Sequence, residues 1–563
     1  MTISEAPRAP TRARILFALA TLVVGVLDVA FNPVSLNPDG VAYIDVGRAL
    51  LDGQRHGITG YWSPLYSVYI AAVLDLSGAG SLAEVAVVRT ANLGVFAAAA
   101  VAFEWLVTVI VARVRARDAA MREWIWRASA YTVFLWTCFR NIGIAEITPD
   151  LVVAASIFSA TALILSYAAS RNPVRRDIVL GVVLACGYLA KAVMFVVAWP
   201  LLAVFAWRSG LRPGARATAV FLVVSTPWIA ALSVVKQRPT FGDVGRLNVV
   251  WYNSEIRPYM HWQGDEPGTG TPVHGTRRVM RNPEVFEFAT PFPVTYPPWY
   301  DASYWYEGVE SKLAIVPTVR AALNRLKGTS PHLWPLVLGV FLLLALTRDV
   351  PRPSNAELRD VAPFFVPALF VYLLYAPIAM YTRYLAAAAA LLYLGVFYVW
   401  ARSSPPNGRR VEIVFAVVAV LLIGQSLAVL SLRAQETLSF GRMLRWRDGD
   451  DQSVAQLLSV VYPGGTPVAS IGTPGAYLYW PHLAGFRQVA ESPNYNDRSF
   501  WASPDSVKAQ ALCALRRAGA TFVVSDSLPH LLDAKWARIG GGRFAYRTLK
   551  GACPDSTVPP RQP

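Results

Sequence analysis

Charged side chains are scarce in this chain, making up 16% of its 563 residues against roughly 25% in an ordinary soluble domain. With 54% hydrophobic residues and a mean hydropathy of +0.38, that shortage excludes a soluble globular protein and implies a polytopic membrane protein. Cysteine is scarcer still: there are four, without metal-ligand spacing, which excludes a zinc module or a disulfide-rich scaffold. Cys138 and Cys186 fall in apolar runs and read as buried thiols. Cys513 and Cys553 lie in the polar C-terminal part, where a disulfide can form if that part is extracytoplasmic. No A-x-A cleavage pattern follows Arg8, Arg12 and Arg14, so the first apolar run reads as an uncleaved anchor. Solenoid-period repeats and coiled-coil heptads are also missing. The formal charge of +16 does not mark a nucleic-acid binder, because Lys and Arg sit in short clusters between apolar segments and not on one soluble basic face.

About 20 mostly apolar residues cross the hydrocarbon core. Spans are expected at residues 15–34, 89–112, 126–146, 150–169, 217–235, 332–347, 361–379, 384–401 and 411–431, with two short helices within 178–207 that fold back near "YLAKAVMF". The clusters Arg113, Arg115, Arg117 and Arg208, Arg212, Arg216 then fall on the cytoplasmic side, provided that the short segment 64–78, with its Asp75, lies at the interface without crossing. The expected fold class is therefore an α-helical polytopic protein of about 11 spans in the plasma (inner) membrane, with a cytoplasmic N-terminus. Residues 1–432 form the transmembrane module and residues 236–331, rich in Pro, Gly, Trp and Tyr, an extracytoplasmic loop within it. Residues 433–563 form a C-terminal extracytoplasmic α/β domain, since "GTPVASIGTPGAYLYW", a helix over 504–518 and "ATFVVSDS" alternate strands with a helix.

Directly after the first span stands "NPDGVAYIDVGRALLDG", residues 37–53. On a helix starting near Asp39, Tyr43 and Val46 share its face, while Asp45 and Arg48 point elsewhere. "NPDG" suits Asp39 as an N-cap, and "TPD" suits Asp150 in the same role at the next outer turn. Both carboxylates also face one compartment, where they are candidates for a general base and an orienting or metal-binding partner. The cations that could hold a phosphate are Arg48, Arg55, His56, Lys191 and Arg383. Lys191 lies inside an apolar run, which is costly unless it is paired or wetted, and Arg383 also fits an interfacial snorkelling role. His261 and His274 match no metal spacing and read as solvated loop residues. The aromatics from Tyr296 to Tyr306 read as the core of the loop, with stacking on sugar faces as the other option.

In their order along the chain, "NPDGVAYIDVGRALLDG" with "YWSPLYS", the "TPD" turn, "GYLAKAVMF", "YTRYLAAAAALL" and the terminal α/β segment resemble the GT-C membrane glycosyltransferases. The resemblance is to the bacterial protein mannosyltransferase-like and aminoarabinose-transferase-like group, glycosyltransferase family 39-like. It implies inverting transfer of a hexose or pentose from a polyprenyl-phosphate-linked sugar to a glycan, lipid or protein acceptor at the outer face. Carried over by position, Asp39 is similar to the catalytic base and Asp150 to a second outer-face carboxylate. Lys191 and Arg383 fall where relatives place basic residues near the cavity, and Tyr43, Arg48 and Arg55 complete the expected substrate-binding set. No cofactor is certain, although a divalent metal is an option. Gly40 follows Asp39 where many relatives have an acidic pair, and "YWSPL" lacks the lysine that some relatives place before this turn. The rival readings are a transporter, which should show midplane polar groups or two related halves, a glycan-binding scaffold, and a ligase moving a whole lipid-linked glycan.

Overall fold

The computed structural model describes residues 11–31, 36–167, 172–253, 261–264, 267–274, 276–288, 294–301, 304–310, 315–328, 330–347, 354–403, 408–440, 444–494, 499–529, 532–539 and 543–553. The first helix, α1, is Thr11–Phe31. The second, α2 (Pro38–Leu51), starts where it does because Asn37 accepts the Gly40 amide and Pro38 fills the first helical position. Next comes α3 (Pro64–Ser77), which ends at Gly78 in the left-handed conformation. It crosses α2 so closely that a Cβ on Gly47 would lie 2.1 Å from the Ser67 carbonyl oxygen.

The bundle continues through α4 (Glu84–Arg115), α5 (Glu123–Leu135), which runs on into a π-helical turn over Trp136–Ile142, and α6 (Asp150–Leu165). Then follow α7 (Pro173–Ala190), α8 (Val193–Ser209), α9 (Leu211–Val235) and α10 (Val244–Asn253). The later helices are α11 (Pro297–Tyr300), α12 (Ile315–Gly328), α13 (Ser330–Thr347), α14 (Asn355–Tyr375), α15 (Thr382–Ser403) and α16 (Gly408–Phe440). A helix stands at each expected span, and the long run at 178–207 breaks at Lys191, between α7 and α8.

Among the described residues, five helices are long and apolar enough to cross a membrane, or six if α12 and α13, bent by 68°, make one span. Eleven was the expectation. The difference lies in helices such as α6 and α8, with 16 and 17 residues, which fall short of a full crossing and are packed largely against other helices. Phe103, Phe134, Phe158, Phe205, Tyr188 and Tyr393 are fully buried in this core.

The polar part adds α17 (Leu444–Val461), α18 (Trp480–Leu483) and α19 (Asp505–Arg517). Its seven-stranded sheet has two strands from the large loop, β1 (Arg277–Arg281) and β2 (Glu284–Glu287). The other five come from the C-terminal part: β3 (Pro467–Gly472), β4 (Arg487–Pro493), β5 (Phe522–Ser525), β6 (Ala537–Ile539) and β7 (Phe544–Thr548). The strand order is β1-β2-β4-β3-β5-β7-β6. Only β3 with β4 and β3 with β5 pair in parallel; the other neighbours are antiparallel. The sheet thus crosses the boundary expected at residue 432.

Loop aromatics Tyr296, Tyr300, Tyr304, Trp305 and Tyr306 are buried in one core with Trp480, Phe486 and Phe522. His261 and His274 are not solvated as expected. His261 is fully buried against Phe286, with Nε2 2.5 Å from Glu491 Oε1, and His274 Nε2 lies 2.5 Å from the Trp262 carbonyl oxygen. Their cover comes largely from residues distant in sequence. Cys513 and Cys553 form a disulfide, while Cys138 and Cys186 are free, the first buried and the second half-buried.

Candidate active site

Four of the expected residues converge, each from a different element. Asp39, in the first turn of α2, accepts a hydrogen bond from Arg383 Nη2 at 3.0 Å through Oδ2. Its Oδ1 has no hydrogen bond among the described residues, and a quarter of the side chain is exposed. Arg383, at the start of α15, also lies 3.9 Å from Asp150 Oδ2 through Nε. Asp150 opens α6, accepts from the Thr148 hydroxyl at 2.5 Å and pairs with the Lys191 ammonium. Lys191 stands in extended backbone at the α7–α8 break, with its nitrogen 4.2 Å from the centre of the Tyr384 ring. The capping expectation was wrong for both acids: Asn37 caps α2, and the residue before α6 is Pro149, which makes no side-chain cap. Both carboxylates are therefore used for ion pairing.

Tyr43 packs edge-on against Trp62 and Tyr66, behind Asp39. Burial first, and then the charges of Asp39 and Asp150, push its hydroxyl well above the usual phenol range. It stays protonated. Arg48 and Arg55 do not join the cluster: Arg48 lies about 14 Å further along α2 and pairs with Glu84, while Arg55 is exposed in the turn Arg55–Gly57. The residues that sequence reasoning missed are Thr148 and Tyr384, although each lies within a motif it quoted, "TPD" and "YTRYLAAAAALL".

Gly40 has a steric cause. A Cβ there would lie 2.5 Å from Asn37 Oδ1 and 2.9 Å from Ile147 Cβ, so an acidic pair at 39–40 does not fit without displacing the cap. Gly40→Ala is expected to cost about 1–3 kcal/mol, read as a lower thermal midpoint of the purified protein; an unchanged midpoint would show that the cap has room to move.

Beside the cluster, a cavity of about 390 Å³ is lined by Val193, Arg238, Arg246, Asn248, Tyr252, Tyr375, Tyr381 and Tyr384. Tyr384 joins cavity and cluster, because its hydroxyl accepts from Arg383 Nη2 at 3.2 Å. Arg238 pairs with Asp243, and Arg246 lies 3.6 Å from Glu307.

The chain is similar to ArnT from Cupriavidus metallidurans bound to undecaprenyl phosphate, with a TM-score of 0.51 and 14% identity over 98% of this chain and 100% of that one. The apo structure of that ArnT gives a TM-score of 0.51 and 14% identity over 97% and 99%. The chain has a GT-C fold. No family model matches it, and no curated protein is similar to it in sequence.

Within this GT-C fold, the carboxylates as they stand do not fit a divalent metal. Asp39 and Asp150 meet through a guanidinium, and among the described residues no three His, Cys, Asp or Glu side chains group as ligands would.

The other end of α2 is fastened to the C-terminal part. His482, buried in α18, places Nε2 2.9 Å from Glu84 Oε2 and Nδ1 3.6 Å from Asp45 Oδ1. The Thr295 amide donates to Asp45 Oδ2 at 3.1 Å, and Arg48 completes the group through Glu84. Burial raises the Asp45 carboxyl against the pull of His482 and the Thr295 amide. Burial also opposes charge on His482, but Glu84 and then Asp45 outweigh it and raise the ring above the ordinary imidazole value, with Arg48 working against them. A raised pKa binds the proton more tightly in the folded state. The resulting stability is full below about pH 6.5 and is lost as pH rises through the elevated value. Limited proteolysis is expected to cut between α18 and its neighbours faster as pH climbs above about 6.5, and His482→Gln should flatten that dependence.

Proposed function

We propose that this protein is an inverting glycosyltransferase that moves a sugar from a polyprenyl-phosphate donor to a glycan, lipid or protein acceptor at the outer face of the plasma membrane. The observation that carries this reading is Asp39 Oδ1, without a hydrogen bond among the described residues, on a carboxylate held by Arg383 within a carboxylate–cation array that opens, through Tyr384, onto a largely apolar cavity. The cavity is suited to the lipid end of the donor, and the undecaprenyl phosphate bound in the ArnT structure supports that assignment.

In this mechanism the donor phosphate lies between Lys191 and Arg383 on one side and Arg238 and Arg246 on the other. The acceptor hydroxyl gives its proton to Asp39 Oδ1 as its oxygen bonds to the anomeric carbon. The bond from that carbon to the phosphate oxygen breaks on the opposite face, and the electron pair leaves with polyprenyl phosphate. Asp150 takes no proton; it fixes Lys191 and Arg383, which stabilise the charge that develops on the leaving phosphate.

The test is release of polyprenyl phosphate by the purified protein from a panel of lipid-linked hexoses and pentoses with membrane-extracted acceptors. Release with one donor identifies the sugar. Failure with every monosaccharide donor but release from a lipid-linked oligosaccharide would favour the glycan ligase, and failure with both would favour a transporter.

A further inference from the structure

The opposite ends of the same helices carry a second charged cluster. Lys191 and Arg208 bracket α8, and Arg383 and Arg402 lie near the two ends of α15, so roughly 25–29 Å of helix separates this cluster from the first. At its centre is Asp360, in the first turns of α14. Arg113 Nη1 from α4 is 2.8 Å from Asp360 Oδ1, and Arg208 Nη2 is 3.0 Å from the same oxygen. Arg402 Nη1 meets Oδ2, to which the Tyr398 hydroxyl also donates at 3.0 Å.

Among the described residues, the remaining donors have few acceptors. Arg113 Nη2 reaches the Leu165 carbonyl, Arg208 Nη1 reaches the Arg359 carbonyl, and Arg402 shares Tyr398. Arg208 Nε is buried without a hydrogen-bond partner among the described residues. The neighbouring acid, Glu357, faces Arg117 at 3.6 Å. Among the described residues, three guanidiniums therefore share one contacting carboxylate, and the side chains of Arg113, Arg208 and Arg402 are 27%, 12% and 11% exposed.

Arginines at one end of a membrane bundle are ordinary. They usually spread into water or among head groups. Here they converge on one partly buried carboxylate, so their mutual repulsion is less screened than at an open surface. An anion supplied from outside the chain would balance them. We infer that this cluster is a binding site for a phosphate group, whose oxygens suit forked guanidinium donors, carried by a lipid head group of that leaflet or free in solution. The inference does not depend on the transferase reading.

The test uses the full-length protein in phosphatidylcholine nanodiscs. Its thermal midpoint is followed against inorganic phosphate, with chloride at equal ionic strength as reference, and separately in discs containing phosphatidylglycerol. A rise with phosphate alone identifies a soluble anion, and a rise with phosphatidylglycerol identifies a head group. Arg113→Gln should weaken the apparent affinity about tenfold; Arg208→Gln serves if that variant fails to fold. Asp360→Asn removes the competing carboxylate and should tighten binding several-fold. The site is overturned if neither anion raises the wild-type midpoint, or if the arginine and aspartate variants shift affinity in the same direction.

Discussion

Asp39→Asn is expected to lower turnover about 100- to 10,000-fold while leaving the donor KM nearly unchanged. The amide has the shape of the carboxylate and can still accept from Arg383, so the α2–α15 contact survives. What disappears is the capacity proposed for Oδ1, to take a proton from the acceptor. The donor contacts assigned to Lys191, Arg383 and the cavity remain, so binding and chemistry should separate. Following polyprenyl phosphate release against donor concentration distinguishes them. A variant with wild-type turnover would remove Asp39 from the role of base, and one with raised KM at full turnover would make it a binding residue.

Lys191→Met should have the largest effect on stability, about 3–5 kcal/mol. Lys191 and Asp150 are 18% and 4% exposed, and removing the ammonium leaves a buried carboxylate with Thr148 and the more distant Arg383 as its partners. The double variant Lys191→Met, Asp150→Leu should recover most of that loss, since replacing both members of a buried pair is often close to neutral. Activity should stay low, because the phosphate would still lack Lys191. Chemical denaturation in detergent, paired with the release assay, reads both quantities. If the single variant is as stable as wild type, Asp150 is not held by that charge.

Parts of this arrangement were legible because their causes are local. "NPDG" marked the start of α2, and an apolar run at 178–207 too long for one span, followed by an arginine cluster, marked the α7–α8 break. The cap went to Asn37 because Pro38 prefers the first helical position, a signal available in the sequence. Arg383 and Asp39 are 344 residues apart; only the order of motifs, through the family resemblance, suggested that they belong together. The positions of Arg48 and His261 were not legible. Periodicity tells which face of a helix is apolar, whereas the partners Glu84 and Glu491 are set by how separate elements pack. The same holds for His482, which meets Glu84 across 398 residues.

The shared sheet also sets a timetable for biosynthesis. Phe286 of the large loop pairs with Glu491 near the end of the chain. At translation rates of roughly 5–20 residues per second, the first waits about 10–40 s for the second. During that interval β2 has an open edge, a template for pairing with other chains, and the loop aromatics lack their later cover. The newborn protein therefore passes through a stage in which much of the helical bundle has been made while the sheet cannot yet close, and protection by a chaperone would matter most at that stage.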